Sequence, residues 1–272
     1  MKRTIRLVLT GAVLAAAGWS HAALYQWDFS GIPSIGTGGY GDEGYQGTST
    51  IGVTSDGLWR GGDETARAKM RKGVNKGGAW GGRYFEDANA VDAIAHDTCF
   101  YFNLIVPAGY SMTLESLQTA WYTSPKESPT TALWQYRIAS DGINYGEWAP
   151  LGNENDLPHT MEWDNELGTD VRVGGVYDWV SLDLTSISAI TGIIEFRLVI
   201  WGGGGSSGHG GNGRFYFGTG NASLQPGSAN IGMGWGNTMT VNGALAVVPE
   251  PSSVALLSLS CAALLLRRRK QH

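Results

Sequence analysis

The chain reads as one all-β domain, a sandwich or barrel, set between two short hydrophobic end segments. Three observations lead there. Glycine makes up 41 of 272 residues, about twice its usual share. It falls between short runs rich in the 11 Trp and 11 Tyr. Those runs alternate apolar and polar residues with period two, as half-buried strands do, and no segment carries a convincing helical period or an internal repeat. The stretch 23–247 is long enough to bury a sizeable core.

The elements follow in order. Leu24–Phe29 alternates as a first strand, and Ser30–Ser49 is a Gly-rich loop. Ile51–Thr54 is a short strand turned by Ser55-Asp56-Gly57. Thr65–Lys72 sets Ala66, Ala68 and Met70 against Arg67, Lys69 and Arg71, which fits an edge strand with its cations outward. Gly73–Gly82 reads as loop, and Phe85–Asp97 has room for one helical turn. Cys99–Val106 is a dense apolar strand, turned by Pro107-Ala108-Gly109. In Tyr110–Trp121, Met112, Leu114 and Leu117 are apolar, and the step from 114 to 117 breaks period two and predicts a bulge. Thr123–Thr131 is loop and Ala132–Ala139 is strand. Ser140-Asp141-Gly142 is a hairpin signal. Leu151–Gly168 reads as an acidic loop. Val171–Val173, Trp179–Leu184, Ile193–Trp201, Arg214–Phe217 and Met239–Val247 are strands, with a turn of helix expected in Ser186–Thr191 and loop in Gly202–Gly213.

The end segments carry addresses. Lys2, Arg3 and Arg6 precede the apolar run Leu7–Ala17, and Ser20-His21-Ala22 supplies small residues at a cleavage site. This is the pattern of a secretory signal peptide, 1–22, read by the secretory translocon. At the other end, Pro249-Glu250-Pro251 precedes the uncharged run Ser252–Leu266 and then Arg267-Arg268-Arg269-Lys270. A helix of roughly 15 residues spans about 22 Å, short of a ~30 Å hydrocarbon core, and snorkelling arginines can close some of the gap. The basic end belongs on the cytoplasmic side and the rest of the chain outside. Cut at both ends, the domain keeps 12 basic against 23 acidic residues, a net charge of −11, which disfavours nucleic acid as a partner. Cys261 lies in the apolar run, so Cys99 is the domain's single thiol. Its apolar surroundings make it a small buried hydrophobe.

The tail 248–272 resembles the PEP-CTERM sorting signal of Gram-negative bacteria on Pro249, Glu250 and Pro251, the apolar helix 252–266, and Arg267, Arg268 and Arg269. That resemblance implies recognition and removal by an exosortase. It also implies transient anchoring in the inner membrane, then a place at the cell surface or in an exopolysaccharide matrix. Tyr101–Gly109, Trp134–Gly142 and Leu182–Trp201, with the strand Glu195–Leu198, resemble the jelly-roll-like β-sandwich cargo of such proteins. The expected architecture is therefore signal peptide, jelly-roll-like β-sandwich over 23–247, and sorting tail.

Two kinds of chemistry compete for the domain. Trp59, Trp80, Trp121 and Trp148 fall at turns or strand ends, where exposed rings can stack on sugar faces. They are the candidate glycan-binding residues, and the expected role is non-catalytic polysaccharide binding. Arg67, Lys69, Arg71, Lys72 and Lys76 could meet an acidic polysaccharide, or simply keep an edge strand from pairing. The alternative is a glycoside hydrolase or lyase. Glu162, Asp164 and Glu166 resemble the Glu-x-Asp-x-Glu strand of a jelly-roll glycosidase family, and hydrolysis of that type needs two carboxylates flanking the bond. Asn165 stands where that strand needs an apolar residue, and Leu157-Pro158-His159 reads as loop, so these carboxylates are expected to be a solvated loop. No cofactor is expected. A structural calcium could find oxygen ligands at Asp141, Gly142, Asn144 and Glu147, or at Asn153, Asn155, Asp156 and Asp164, although neither set matches a calcium loop.

Overall fold

The computed structural model describes residues 22–32, 44–62, 75–76, 79–83, 85, 87–123, 129–156, 161–164, 169–172, 178–202, 214–218 and 237–248. Among them the chain is all-β, with two antiparallel sheets facing each other across one core. The first sheet is built on β6 (Tyr110–Thr123), a 14-residue strand. One edge of β6 takes β14 (Thr238–Val247) and then β13 (Arg214–Gly218); the other takes β11 (Asp178–Asp183). Beyond β14 lies β1 (Ala22–Asp28). Beyond β13 lie β4 (Ala79–Arg83) and β3 (Asn75–Lys76). The second sheet has the order β2 (Trp59–Arg60), β5 (Cys99–Ile105), β12 (Ile193–Trp201), β7 (Thr131–Ala139) and β8 (Ala149–Asp156).

Alternation decides what each strand buries. Phe100, Phe102 and Leu104 of β5 face inward, as do Ile194, Phe196, Leu198 and Ile200 of β12 and Ala132 and Trp134 of β7. The first sheet answers with Trp27, Leu114, Leu117, Trp121, Phe215, Phe217, Met239 and Val241. Rings meet across the two layers: Trp27 and Phe102 centroids are 4.8 Å apart, Phe100 and Phe217 5.2 Å, Trp134 and Phe217 6.2 Å. Offset and edge-on contacts of this kind add to the burial of the rings themselves.

The bulge expected between Leu114 and Leu117 is present. Asn242 stands opposite Ser116 and Gly243 opposite Leu114, so Glu115 is the extra residue. Skipping one position lets both leucines face the core, at 3% and 0% exposure. Gly142 turns β7 towards β8 with φ at 75°, a left-handed conformation that favours glycine, and its N–H donates to the Ala139 carbonyl at 3.0 Å.

Several expectations are corrected. Most of the supposed acidic loop Leu151–Gly168 is strand: β8 pairs with β7, and β9 (Met161–Asp164) pairs with β10 (Thr169–Arg172) in a separate two-stranded sheet. Pairing satisfied backbone groups that polar composition alone left unassigned. β3 and β4 fall in the supposed loop Gly73–Gly82 for the same reason. Residues 186–191 are irregular rather than helical, with Ile190 in an isolated bridge to Met112. The helical turn expected before Asp97 is α1 (Ala90–Ala95), capped by the Asn89 side chain, which accepts from the Asp92 N–H. Residues 1–21 of the expected signal peptide, the strand expected at 65–72 and residues 249–272 of the expected sorting tail lie outside the described residues. No described helix is long and apolar enough to cross a membrane.

Candidate functional site

The outer face of the second sheet divides into a covered end and an open one. At the covered end, Cys99 of β5, Val199 and Trp201 of β12 and Leu133 of β7 form an apolar patch, and α1 lays Ala90 and Ala93 over it. Burial there pushes the Cys99 thiol up to about 12, which leaves it an inert hydrophobe. Asp87 ties the helix end in place, accepting from the Thr98 hydroxyl and meeting His96 Nδ1 at 2.6 Å.

The open end is polar and aromatic. Two cross-strand rows cover it. One runs Trp59, Tyr101, Arg197, Gln135 across β2, β5, β12 and β7; the next runs Asn103, Glu195, Arg137 across β5, β12 and β7. The segment between the Asp141 turn and β8 folds back over these rows. It sets Tyr145 and Trp148 against two guanidinium groups: Arg137 Cζ lies 4.3 Å from the Tyr145 ring and 4.4 Å from the Trp148 ring, and Arg197 Cζ lies 4.1 Å from Trp148. Such contacts hold an otherwise irregular segment in one position.

Between this segment and the loop before β2 lies a cleft of ≈ 590 Å³. Trp59 and Trp148 stand in its walls with Asp56, Tyr101, Asn103, Arg137 and Glu195. Each polar group is oriented by a partner. Arg137 donates to Glu195 Oε2 through Nε at 2.6 Å and through Nη2 at 2.5 Å. Arg197 Nε donates to Gln135 Oε1 at 2.6 Å. Asn103 Nδ2 donates to Asp56 Oδ2 at 2.6 Å, while its Oδ1 accepts from the Asp56 N–H at 2.8 Å. Trp59 Nε1 donates to the Asp56 carbonyl at 3.1 Å. Asp97, a non-glycine residue at φ 55°, accepts from the Tyr101 hydroxyl and from the Gly62 N–H, which fixes the far wall. Burial raises the Glu195 carboxyl above its usual value, against the pull of Arg137. Burial likewise holds the Tyr101 and Tyr145 hydroxyls above theirs.

The four tryptophans proposed for glycan binding separate. Trp59 and Trp148 line the cleft, each partly exposed. Trp80 and Trp121 do not: at 2% and 1% exposure they belong to the core between the sheets. Both occupy inward positions of strands, and Trp80 packs 5.3 Å from Phe100. Glu162 and Asp164 sit on β9, opposite Val171 and Thr169; Glu166 lies outside the described residues, as do Arg67, Lys69, Arg71 and Lys72. Asp141 is spent on its own turn, with Oδ1 accepting from the Ile143 and Asn144 N–H groups and Oδ2 from Asn144 Nδ2. Among the described residues no three His, Cys, Asp or Glu side chains converge as a metal site would require. Sequence reasoning missed Asp56, Tyr101, Asn103, Arg137 and Glu195. For Arg137 and Glu195 the signal was a charged residue between two apolar ones on a strand, as in Ile194-Glu195-Phe196.

No family model matches the chain, and no curated protein does. Among solved structures it is similar to a carbohydrate-binding module specific for non-crystalline cellulose. The two are 10% identical, with 60% of this chain and 85% of that one covered and a TM-score of 0.35.

Proposed function

We propose that this protein is exported, sorted through its tail by an exosortase, and acts at the cell surface or in the surrounding matrix as a non-catalytic polysaccharide-binding domain of jelly-roll-like type. One observation carries the binding part: Trp59 and Trp148 stand in one open cleft with Asp56, Asn103, Arg137 and Glu195. A sugar presents apolar C–H surface edged by hydroxyls. A cleft that binds it needs ring faces together with a few oriented donors and acceptors. The carboxylates here act as acceptors, since Glu195 is held by Arg137 and Asp56 by Asn103. Export and sorting rest on the basic-apolar leader and on the ordered Pro249-Glu250-Pro251, apolar run and Arg267–Arg269.

Glycan-array binding tests the first part: Trp59→Ala and Trp148→Ala should each abolish retention, and Glu162→Gln and Glu166→Gln should leave it unchanged. Incubation with β-glucans, agars and carrageenans should release no reducing ends; release that disappears in the two Gln variants would make the protein a hydrolase. Mass spectrometry of the protein recovered from cells tests the second part. A mature form that always keeps Arg267–Lys270 rules out processing of the tail.

A further inference from the structure

We infer that the cleft selects neutral, hydroxyl-rich sugars over uronate, sulfated or amino sugars; the inference rests on the polysaccharide-binding reading above. Among the described residues the charges lining it are Asp56, Glu195 and Arg137. They leave one negative charge in excess. The one described lining cation is also committed. Arg137 turns Nε and Nη2 to Glu195 and its faces to Tyr145 and Trp148, so that edge of its guanidinium is taken before an anion arrives. Arg197, 8% exposed, lies against Trp148 and gives Nε to Gln135.

A carboxylate or sulfate entering here would shed water and then face two carboxylates, with the Nε–Nη2 edge of Arg137 already held by Glu195. A hydroxyl group meets the opposite situation. It can donate to Glu195 or Asp56, and hydrogen bonds to an ionised acceptor are the stronger kind. An ammonium group would gain from the excess charge, but only after shedding its own water and against the Arg137 cation held beside Glu195. The cleft also extends across strands, from Trp59 on β2 to Arg137 on β7. At ~4.8 Å between neighbouring strands, three spacings give about 14 Å. That length suits a run of linked sugars lying across the strands better than a single ring.

The test uses the full chain in mild detergent, with depletion onto resins carrying hydroxyethylcellulose, galactomannan, alginate, carrageenan or chitosan. Retention is expected on a neutral polymer and should persist at about 0.5 M salt, where exposed charge attraction is screened. Glu195→Gln should weaken it about tenfold, the effect of losing one charge-assisted acceptor. Asp56→Asn, at an exposed position, should also weaken it and supplies the reading if Glu195→Gln does not fold. Retention by alginate, carrageenan or chitosan in place of the neutral polymers overturns the selectivity and leaves polysaccharide binding standing. Neutral binding unchanged in both variants also overturns it, because the carboxylates would then not be reading hydroxyls. Retention by none of the five, from a chain with native near-ultraviolet dichroism, overturns both readings.

Discussion

Replacing Arg137 by methionine tests whether the cleft wall is held as described. The substitution removes the donors to Glu195 and the cation over Tyr145 and Trp148, while methionine keeps most of the aliphatic packing. A hydrogen-bonded ion pair contributes about 1.5–3 kcal/mol, and each guanidinium–ring contact about 0.5–1. The Arg137 side chain is 30% exposed and Glu195 19%, so the lower end of each range applies, and the expected loss is about 2.5 kcal/mol. Its pH dependence has a definite sign. Burial raises the Glu195 pKa in the folded state above 4.5. The fold therefore holds that proton more tightly than the unfolded chain, and stability from this group falls as pH rises from 4.5 through the folded value. Without Arg137 the folded value climbs further. The methionine variant should accordingly lose less at about pH 4 than at pH 7. Urea unfolding followed by tryptophan fluorescence, at both pH values, measures this in the parent, Arg137→Met, Glu195→Gln and the double variant. Losses that simply add, within about 0.5 kcal/mol, would mean that the two side chains are not coupled and that the wall is held by something else.

Gly81→Ala should cost more than about 2 kcal/mol, because an added Cβ would lie 2.0 Å from the Phe215 carbonyl oxygen; a parent-like melting temperature would refute the β4–β13 register. Cys99→Ser should cost about 1–2 kcal/mol, from a hydroxyl placed in an apolar cluster. The native thiol, pushed up to about 12, should resist iodoacetamide at pH 8 until denaturant is added, and prompt labelling would contradict its burial. Asp141, held at about 2 by the Asn144 and Ile143 N–H groups, stabilises the turn above pH 3.8, and this contribution is lost as pH falls towards 2. Asp141→Ala and its parent should therefore differ at neutral pH and converge near pH 2, and a constant gap across an acid titration would exclude the turn as the cause.

The strands of the second sheet were legible because three of its members bury one face against aromatic residues. β5, β7 and β12 lie within about a residue of the expected Cys99–Val106, Ala132–Ala139 and Ile193–Trp201. The bulge at Glu115 was legible for a related reason: a core position cannot slip without a residue being left over. β4 and β8 were missed because glycine and polar residues dominate them, and their strand character comes from partners distant in sequence. The cleft was legible only through Trp59 and Trp148. Position at a turn cannot distinguish Trp148, which comes back over the outer face, from Trp121, which a period-two count places inward. Asp56, Asn103, Glu195 and Arg137 come together through the order β2-β5-β12-β7, and no local pattern encodes which strands become neighbours.

That the first and last described strands lie side by side governs how the chain can fold. β1 pairs with β14 alone among the named strands, and the side chains of Gln26 and Thr240 are bonded at 3.2 Å across 214 residues of sequence. Until β14 arrives, β1 has no strand to join and most of one edge of β6 is bare. Loop closure on this scale makes folding slow, and an unpaired strand edge is a template for aggregation. A chain threaded through a membrane from its N-terminus would expose these edges for the whole of its passage. A truncation that removes 238–247 should then give no smaller stable domain, only insoluble material, and the rate of folding should follow the arrival of the final strand.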